Sequence, residues 1–235
     1  MAEDLWSITW LQPEEAMAYW RERLPLTQDE LLRIAEAHRI RAFTVAGVTS
    51  LQFIQAIWEA IDQAIAEGIT MQEFAERVTA VAEKRGFTGL APHHLDTVFL
   101  NNVSSAYMAG RYRQMRHPRT LEKRPIWVYD AVNDSRTRPS HAALDGIARR
   151  ADDPFWRVYY PPNGHRCRCD VINLTPQEAE RLGIQVGEGV PTDVAGPDPG
   201  WDLDPADAFD HWEPDLTGLP DPLRAAYEAR QQKGR

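Results

Sequence analysis

Cys167 and Cys169 are the only cysteines in the chain, and they lie two residues apart. Residues with this spacing point to the same face of an extended strand, about 6.6 Å apart along the backbone. Two thiolates bound at about 2.3 Å from one zinc ion lie slightly less than about 4 Å apart, which same-face neighbours reach after modest bending. The pair can therefore supply two ligands of a zinc site.

The remaining ligands must come from other side chains, because a structural zinc site is tetrahedral. His141 and Asp134 are upstream candidates with suitable donor atoms, and His165 is an alternate ligand. An extended run from His165 to Cys169 spans about 13 Å, so a metal can join them only across a turn. The predicted site is a structural zinc held by Cys167, Cys169, His141 and Asp134.

Other interpretations of the cysteine pair stay open. Free cysteines most often behave as small buried hydrophobic residues, and this spacer is shorter than those typical of zinc motifs. A catalytic zinc needs an open position and a general base, and the chain has no His-Glu-x-x-His motif. A cysteine nucleophile activated by His141 is a further alternative. Strand spacing and a reducing cytoplasm disfavour a mutual disulfide.

Turn-forming residues are dense in two loops, at 133–139 and 161–164. In the first loop, Asp134 and Arg136 either contact a ligand such as phosphate or satisfy the backbone in an Asx turn. The second role is the commoner one for polar loop residues. We expect the two loops to meet in space, so that His141 approaches the cysteines.

The spacing of these residues resembles that of a known family. The motif residues are Asp134, Arg136, His141, Leu144, Asp145 and Gly146, followed by Pro161, Pro162, Asn163, Gly164, Cys167, Arg168 and Cys169. They resemble the signature of the Mu F-like phage head morphogenesis family, which comprises minor head proteins of tailed bacteriophages. The helical front half is similar too, so the resemblance covers roughly residues 15 to 175, a large share of the chain.

The resemblance implies a structural protein rather than an enzyme. It implies a role in head morphogenesis near the portal vertex, with the portal protein and coat or scaffold proteins as partners. A local contact with packaged DNA is a separate prediction, which rests on a concentration of basic residues. The resemblance also implies a place in the virion head after assembly in the cytoplasm of the bacterial host. His165 departs from the family pattern, so the resemblance does not imply it as a ligand.

Helices predicted from apolar periodicity and from capping residues fill the front half. They begin near Pro13, Thr27, Ser50, Thr70 and Pro92, and they end near Pro25, Gly47, Gly68, Gly86 and Pro118. Beyond them, β-branched and aromatic residues predict antiparallel strands at 126–129, 157–160 and 170–174, followed by a helix capped by Thr175. The predicted fold class is α+β, with a helical N-terminal half, a small mixed α/β module and an extended C-terminal tail.

We divide the chain into a helical domain at 1–118, a module carrying the histidine and cysteine cluster at 119–184, and a tail at 185–235. The acidic, proline-rich tail buries too little apolar surface to become ordered alone. Trp201, Phe209 and Trp212 favour docking of the tail onto another surface. A terminal helix is predicted at 222–230.

Composition and charge narrow the function. The chain is 43% hydrophobic and 26% charged and has no apolar run near the ~20 residues that cross a bilayer, so no membrane partner is expected. A formal net charge of −9 argues against sequence-independent DNA binding. Two alternatives to a structural role stay open: a zinc- or cysteine-dependent hydrolase, and a local DNA-binding module. The second rests on one basic concentration: Arg111, Arg113, Arg116, Arg119, Lys123 and Arg124.

Overall fold

The computed structural model describes residues 13–33, 42–192 and 194–209, together with positions 221, 224, 225 and 228. Helices occupy most of the front half, and a small sheet of short antiparallel strands lies in the back half. The predicted α+β fold class is confirmed. In the described part of the chain, no helix is both long and apolar enough to cross a membrane.

The front half is built from packed helices. They are α1 (Glu14–Arg21), α2 (Gln28–Arg33), α3 (Leu51–Glu67), α4 (Met71–Arg85), α5 (Pro92–Arg116) and α6 (Pro118–Lys123). A short parallel pair of strands, β1 (Leu24–Pro25) and β2 (Ala42–Phe43), accompanies them. Pro118 opens α6 directly after α5 ends, because proline has no N–H to lose at the first position of a helix.

The boundaries of α3 and α4 follow from their caps. The Ser50 hydroxyl accepts a hydrogen bond from the Phe53 N–H, and Thr70 and Glu73 form a complete capping box. Each helix ends at a glycine in the left-handed region, such as Gly68 (φ 69°), where other residues are strained. These caps confirm the predicted starts and ends.

The core of the front half lies between α1, α3 and α5. Trp20 of α1 is fully buried; its ring stacks on Trp58 of α3 with a centroid distance of 5.8 Å, and its Nε1–H donates to the Trp58 carbonyl oxygen. α1 also lies directly against α5. A Cβ added to Gly110 of α5 would lie 2.7 Å from the Ala16 backbone nitrogen, so glycine permits this close approach.

The sheet of the back half has the strand order β4-β3-β5, and both pairings are antiparallel. The strands are β3 (Ile126–Asp130), β4 (Ala148–Arg150) and β5 (Asp170–Leu174), and the short helices around them are α7 (Pro139–Ala142), α8 (Phe155–Tyr159) and α9 (Pro176–Arg181). β3 and β5 confirm two predicted strands. The sequence pattern does not predict β4, because Ala-Arg-Arg has no β-branched or aromatic side chain.

The strand predicted at 157–160 is wrong, since most of this segment belongs to α8. The Asp153 carboxylate accepts a hydrogen bond from the Phe155 N–H at the start of the helical turn. Phe155, Trp156 and Tyr159 are all buried, which the spacing of a helix allows and the alternation of a strand does not. Burial of these rings overrides their β propensity.

Part of the predicted tail packs on the helical half. α10 (Pro205–Phe209) lies against α5, and the Phe209 ring meets Tyr19 and Tyr160 edge-on. The Arg113 guanidinium donates to the Phe209 carbonyl oxygen at 2.6 Å. Trp212 and most of the predicted terminal helix lie outside the described residues. The domain boundaries after residues 118 and 184 stay predictions.

Arginine side chains bind the outer edge of β5. The Arg111 Nε–H donates to the Val171 carbonyl oxygen at 2.6 Å, and Arg124 donates to the Asn173 carbonyl oxygen at 2.7 Å. Arg113 pairs with the partly buried Glu22 elsewhere on the helical half. Much of the predicted basic concentration is therefore engaged inside the protein.

The substitution Gly110→Ala tests the contact between α1 and α5. Alanine is the better helix former by about 1 kcal/mol, but overpacking against the α1 backbone costs about 1–3 kcal/mol. We expect a lower free energy of unfolding, measured by urea denaturation. Gly89→Ala is the matched control, because no atom lies within 4 Å of a Cβ added there. A Gly110→Ala protein as stable as the wild type would contradict the close approach.

Candidate metal centre

Three buried side chains from two loops meet in the back half. His141 belongs to α7, whereas Cys167 and Cys169 lie just before β5. The His141 Nδ1 atom is 3.6 Å from the Cys167 Sγ atom and 3.5 Å from the Cys169 Sγ atom. The three residues are 4, 5 and 6% exposed, respectively. The predicted meeting of the two loops is confirmed, and we call these three residues the His/Cys cluster.

The spacing of the His/Cys cluster fits a tetrahedral zinc ion. Zinc–nitrogen and zinc–sulfur bonds of about 2.1 and 2.3 Å at a tetrahedral angle place the two ligand atoms about 3.6 Å apart. The observed nitrogen–sulfur distances are 3.6 and 3.5 Å. All three potential ligand atoms lie within 4.8 Å of one another. The His/Cys cluster is therefore a group that can bind a metal.

Asp134 folds the loop that carries His141. Its carboxylate accepts hydrogen bonds from the Arg136 N–H at 2.9 Å and from the Thr137 hydroxyl, which makes an Asx turn. Pro139 then occupies the first position of α7, where its fixed φ suits the helix. This single helical turn places His141 in the core.

Helix α5 positions the cysteine loop through polar side chains on one face. Asn101 Oδ1 accepts a hydrogen bond from the Arg166 N–H, and the Ser104 hydroxyl donates to the Cys167 carbonyl oxygen at 3.1 Å. Arg111 binds β5 further along. Positions 101, 104 and 111 repeat at helical spacing, and we call them the α5 polar stripe. A long helix thus fixes a loop that has little regular structure.

Contact between the two thiols separates their pKa values. A hydrogen bond with the Cys169 thiol lowers the pKa of Cys167 to about 4, and hydrogen bonds from His141 and from the Asn163 backbone contribute to this lowering. The same thiol contact, together with burial, raises the pKa of Cys169. The contact therefore favours the thiolate form at Cys167 and the thiol form at Cys169, and a metal ion held by both sulfur atoms would displace the remaining proton.

Two further residues support the His/Cys cluster, and the sequence did not assign them this role. The fully buried Tyr129 hydroxyl hydrogen bonds with the Cys169 thiol. Asn163 Nδ2 donates to the Tyr129 hydroxyl at 3.0 Å and to the Tyr159 carbonyl oxygen at 2.9 Å. In the sequence, Tyr129 is part of a predicted strand and Asn163 is part of a turn motif. Neither signal indicates a contact with a metal site. Such partners orient metal ligands.

Two residues predicted as ligands lie outside the His/Cys cluster. Both Asp134 carboxylate oxygens accept hydrogen bonds from Arg168, at 2.6 and 2.8 Å, and this contact holds the pKa of Asp134 well below its usual range. His165 is exposed; its Nδ1 atom hydrogen bonds with Asn101, and its ring meets Trp201 edge-on. Ligand roles for Asp134 and His165 stay predictions, but both side chains have other partners here.

A small cavity adjoins the His/Cys cluster. Its volume is about 20 Å³. It is lined by the cluster and by four arginines, Arg136, Arg138, Arg166 and Arg168. Because a cavity needs about 10–15 Å³ to hold one water molecule, this one admits a single small group.

Comparison with known proteins places the whole arrangement in a family. Residues 55–172, which run from α3 into β5, match the family model described as Phage Mu protein F like protein. The chain belongs to this family. The resemblance found in the motif residues is confirmed, and all three residues of the His/Cys cluster lie inside the matched region.

Two curated relatives support the Mu F-like assignment. "Putative capsid assembly protein F" of Escherichia phage Mu is 38% identical, over 76% of this chain and 44% of the relative. "Mu-like prophage FluMu F protein" of Haemophilus influenzae is 37% identical, over 64% of this chain and 39% of the relative. This Mu F-like chain therefore spans less than half the length of either relative. No solved structure matches it significantly.

The substitution Asp134→Asn tests the ion pair that folds the Mu F-like loop. The Arg168 contact lowers the folded pKa of Asp134 below its unfolded value of about 3.9. The carboxylate therefore stabilises the fold above that pH, and this contribution disappears as the pH falls through the folded pKa. We expect a lower free energy of unfolding than in the wild type at neutral pH, and a smaller difference below about pH 4.

Urea denaturation over a pH series measures the effect of Asp134→Asn. Asp152→Asn is the matched control, since Asp152 is 74% exposed and pairs with an equally superficial Arg150 at 3.3 Å. A destabilisation by Asp134→Asn that is independent of pH would show that the charge of Asp134 is not what holds the loop.

Proposed function

We propose that this chain is a structural minor head protein that acts in the head morphogenesis of a tailed bacteriophage. Family membership and the name of the phage Mu relative support this role. The observation that carries it is the nature of the His/Cys cluster. It is a buried junction between two loops of the family-matched region, and it adjoins space for only one small group.

In this proposal the His/Cys cluster holds a structural zinc ion. Two thiolates and an imidazole are ligands that zinc favours, and their separations fit its bond lengths. When bound, the ion supplies a cross-link between the His141 loop and the cysteine loop. Both cysteines are otherwise free, so a metal can replace the disulfide that a secreted domain would use.

A zinc- or cysteine-dependent hydrolase is less well supported. The cavity beside the cluster has about 20 Å³, whereas substrate pockets usually have ~300 Å³ or more. Hydrolysis also needs a general base. The Asp134 carboxylate is a weak one, because Arg168 binds both of its oxygens and lowers its pKa. The cluster is therefore better suited to holding the fold together.

The proposed partners are proteins of the phage head: the portal protein, and coat or scaffold proteins. A net charge of −9 disfavours broad DNA contact, and three arginines of the basic concentration, Arg111, Arg113 and Arg124, bind groups of this chain. Contact with packaged DNA would therefore be local. The proposal includes a position near the portal vertex of the virion head, assembly in the host cytoplasm, and no membrane partner.

One zinc ion per chain is expected in the purified protein, measured by mass spectrometry of the metal content. His141→Ala and Cys167→Ser should lose the ion. Zinc added to metal-free wild-type protein should raise its melting temperature, because a ligand that binds only the folded state stabilises it by RT ln(1 + [L]/Kd). His165→Ala is the matched control, since it removes an imidazole outside the cluster.

If the His165→Ala protein lost its zinc, His165 would be a ligand. That result would contradict the proposal that His141, Cys167 and Cys169 are the protein ligands. An unchanged melting temperature of the wild type in the presence of zinc would contradict the metal site itself. The Cys167→Ser change nearly preserves side-chain volume, so it separates loss of metal from loss of packing.

Co-purification with the portal protein of the same genome tests the assembly role. We expect the tagged chain to retain the portal protein when the two are expressed together. An unrelated phage protein of similar net charge, carrying the same tag, is the control for charge-driven adsorption. Steeply salt-dependent retention of DNA, with no head protein retained, would favour the DNA-binding alternative instead.

A further inference from the structure

The His/Cys cluster supplies three ligands, and a tetrahedral zinc ion takes four. Within the described residues, the possible-ligand group consists of His141, Cys167 and Cys169. Asp134 is bound by Arg168 through both carboxylate oxygens. Within the described residues, no further histidine, cysteine or carboxylate side chain joins this group as a fourth donor.

All three ligand residues form part of the wall of the cavity beside the cluster, so a group in the cavity would lie beside a metal ion held by them. The cavity volume of about 20 Å³ matches one water-sized group. The arginines at its rim reach the surface, with exposed fractions from 31% for Arg168 to 76% for Arg136. A small ligand from outside can therefore approach the metal between guanidinium groups.

The charges around the cavity favour an anion. The four arginines that line it pair with three carboxylates, those of Asp134, Asp96 and Asp198. A zinc ion bound by two thiolates and a neutral imidazole adds no net charge. One positive charge is left uncompensated, and a ligand with a single negative charge would neutralise it.

We infer that the metal centre keeps an exchangeable fourth position, and that its ligand is a carboxylate. The carboxylate comes either from a small free acid or from an acidic side chain of another protein chain. This inference rests on the proposed zinc site. A carboxylate offers one oxygen atom to zinc at about 2.0–2.2 Å and leaves the other for a guanidinium group.

A phosphate group fits this position less well. It carries about 1.5–2 negative charges at pH 7, whereas only one positive charge around the cavity is uncompensated. Water alone would occupy the position but would leave that charge unbalanced. A carboxylate can place one oxygen atom in the cavity, and it carries the single negative charge that balances the arginines.

Cobalt substitution tests the inference, since the visible absorption of a bound Co²⁺ ion reports its ligands. The full chain is loaded with Co²⁺ in place of zinc and titrated with formate. We expect a saturable change in the visible spectrum, and a formate affinity about threefold weaker in Arg136→Gln, the loss expected for one exposed charge pair. Arg150→Gln is the matched control, because Arg150 is 62% exposed and lies outside the cavity.

Failure of this inference is distinguishable from failure of the zinc site. A chain that does not bind Co²⁺ contradicts the metal site of the proposed function. A chain that binds Co²⁺ but shows no spectral response to formate overturns the open position alone. An equal formate affinity in the wild type and in Arg136→Gln overturns the role of the arginine rim.

A terminally blocked peptide with one glutamate separates the two sources of the carboxylate. Competition between this peptide and formate supports a ligand that is an acidic side chain of another protein. If formate binds and the peptide does not compete, the ligand is a small free carboxylate. The same peptide with glutamine in place of glutamate should not compete, and competition by it would overturn the carboxylate as the recognised group.

Discussion

One long helix fixes the geometry on which the back half depends. α5 is held against α1 by the close approach at Gly110. Its polar stripe binds backbone groups of the cysteine loop and of β5. Backbone groups outside a regular ladder must still find partners when they are packed against protein. The backbone on either side of the two cysteines is therefore anchored by a long helix of the front half.

Residues 194–209 join the two halves from the other side. The Asp198 N–H donates to the Asn163 carbonyl oxygen at 2.9 Å, and its carboxylate lies 3.5 Å from Arg138. Further along, Phe209 belongs to the same buried apolar cluster as Trp20 and Trp127. Helices, sheet and docked segment thus share one core. Detachment of residues 194–209 would remove contacts both from the turn at Asn163, beside the potential metal ligands, and from α5.

Local signals explain which parts of the fold could be predicted. The capping box of Thr70 and Glu73 is complete within four residues, so the sequence shows it directly. The cysteine half of the cluster was predictable because the chain has only two cysteines and they lie two residues apart. Helix α8 was not predictable, since its aromatic rings are buried in a core formed by residues distant in the sequence. Side chains alternate along an extended segment, so the sequence indicates that Arg168 points away from Cys167 and Cys169. It does not show that the partner of Arg168 is Asp134, which lies 34 residues earlier.

β5 is the outer strand of its sheet, and guanidinium groups of Arg111 and Arg124 occupy two of its outward carbonyl groups. An uncovered outer strand is a template onto which a strand of another molecule can add, and this is a common route to aggregation. The danger grows with the local concentration of the protein. Because guanidinium groups already occupy these carbonyl groups, the edge of β5 is a poor template for a strand of another molecule.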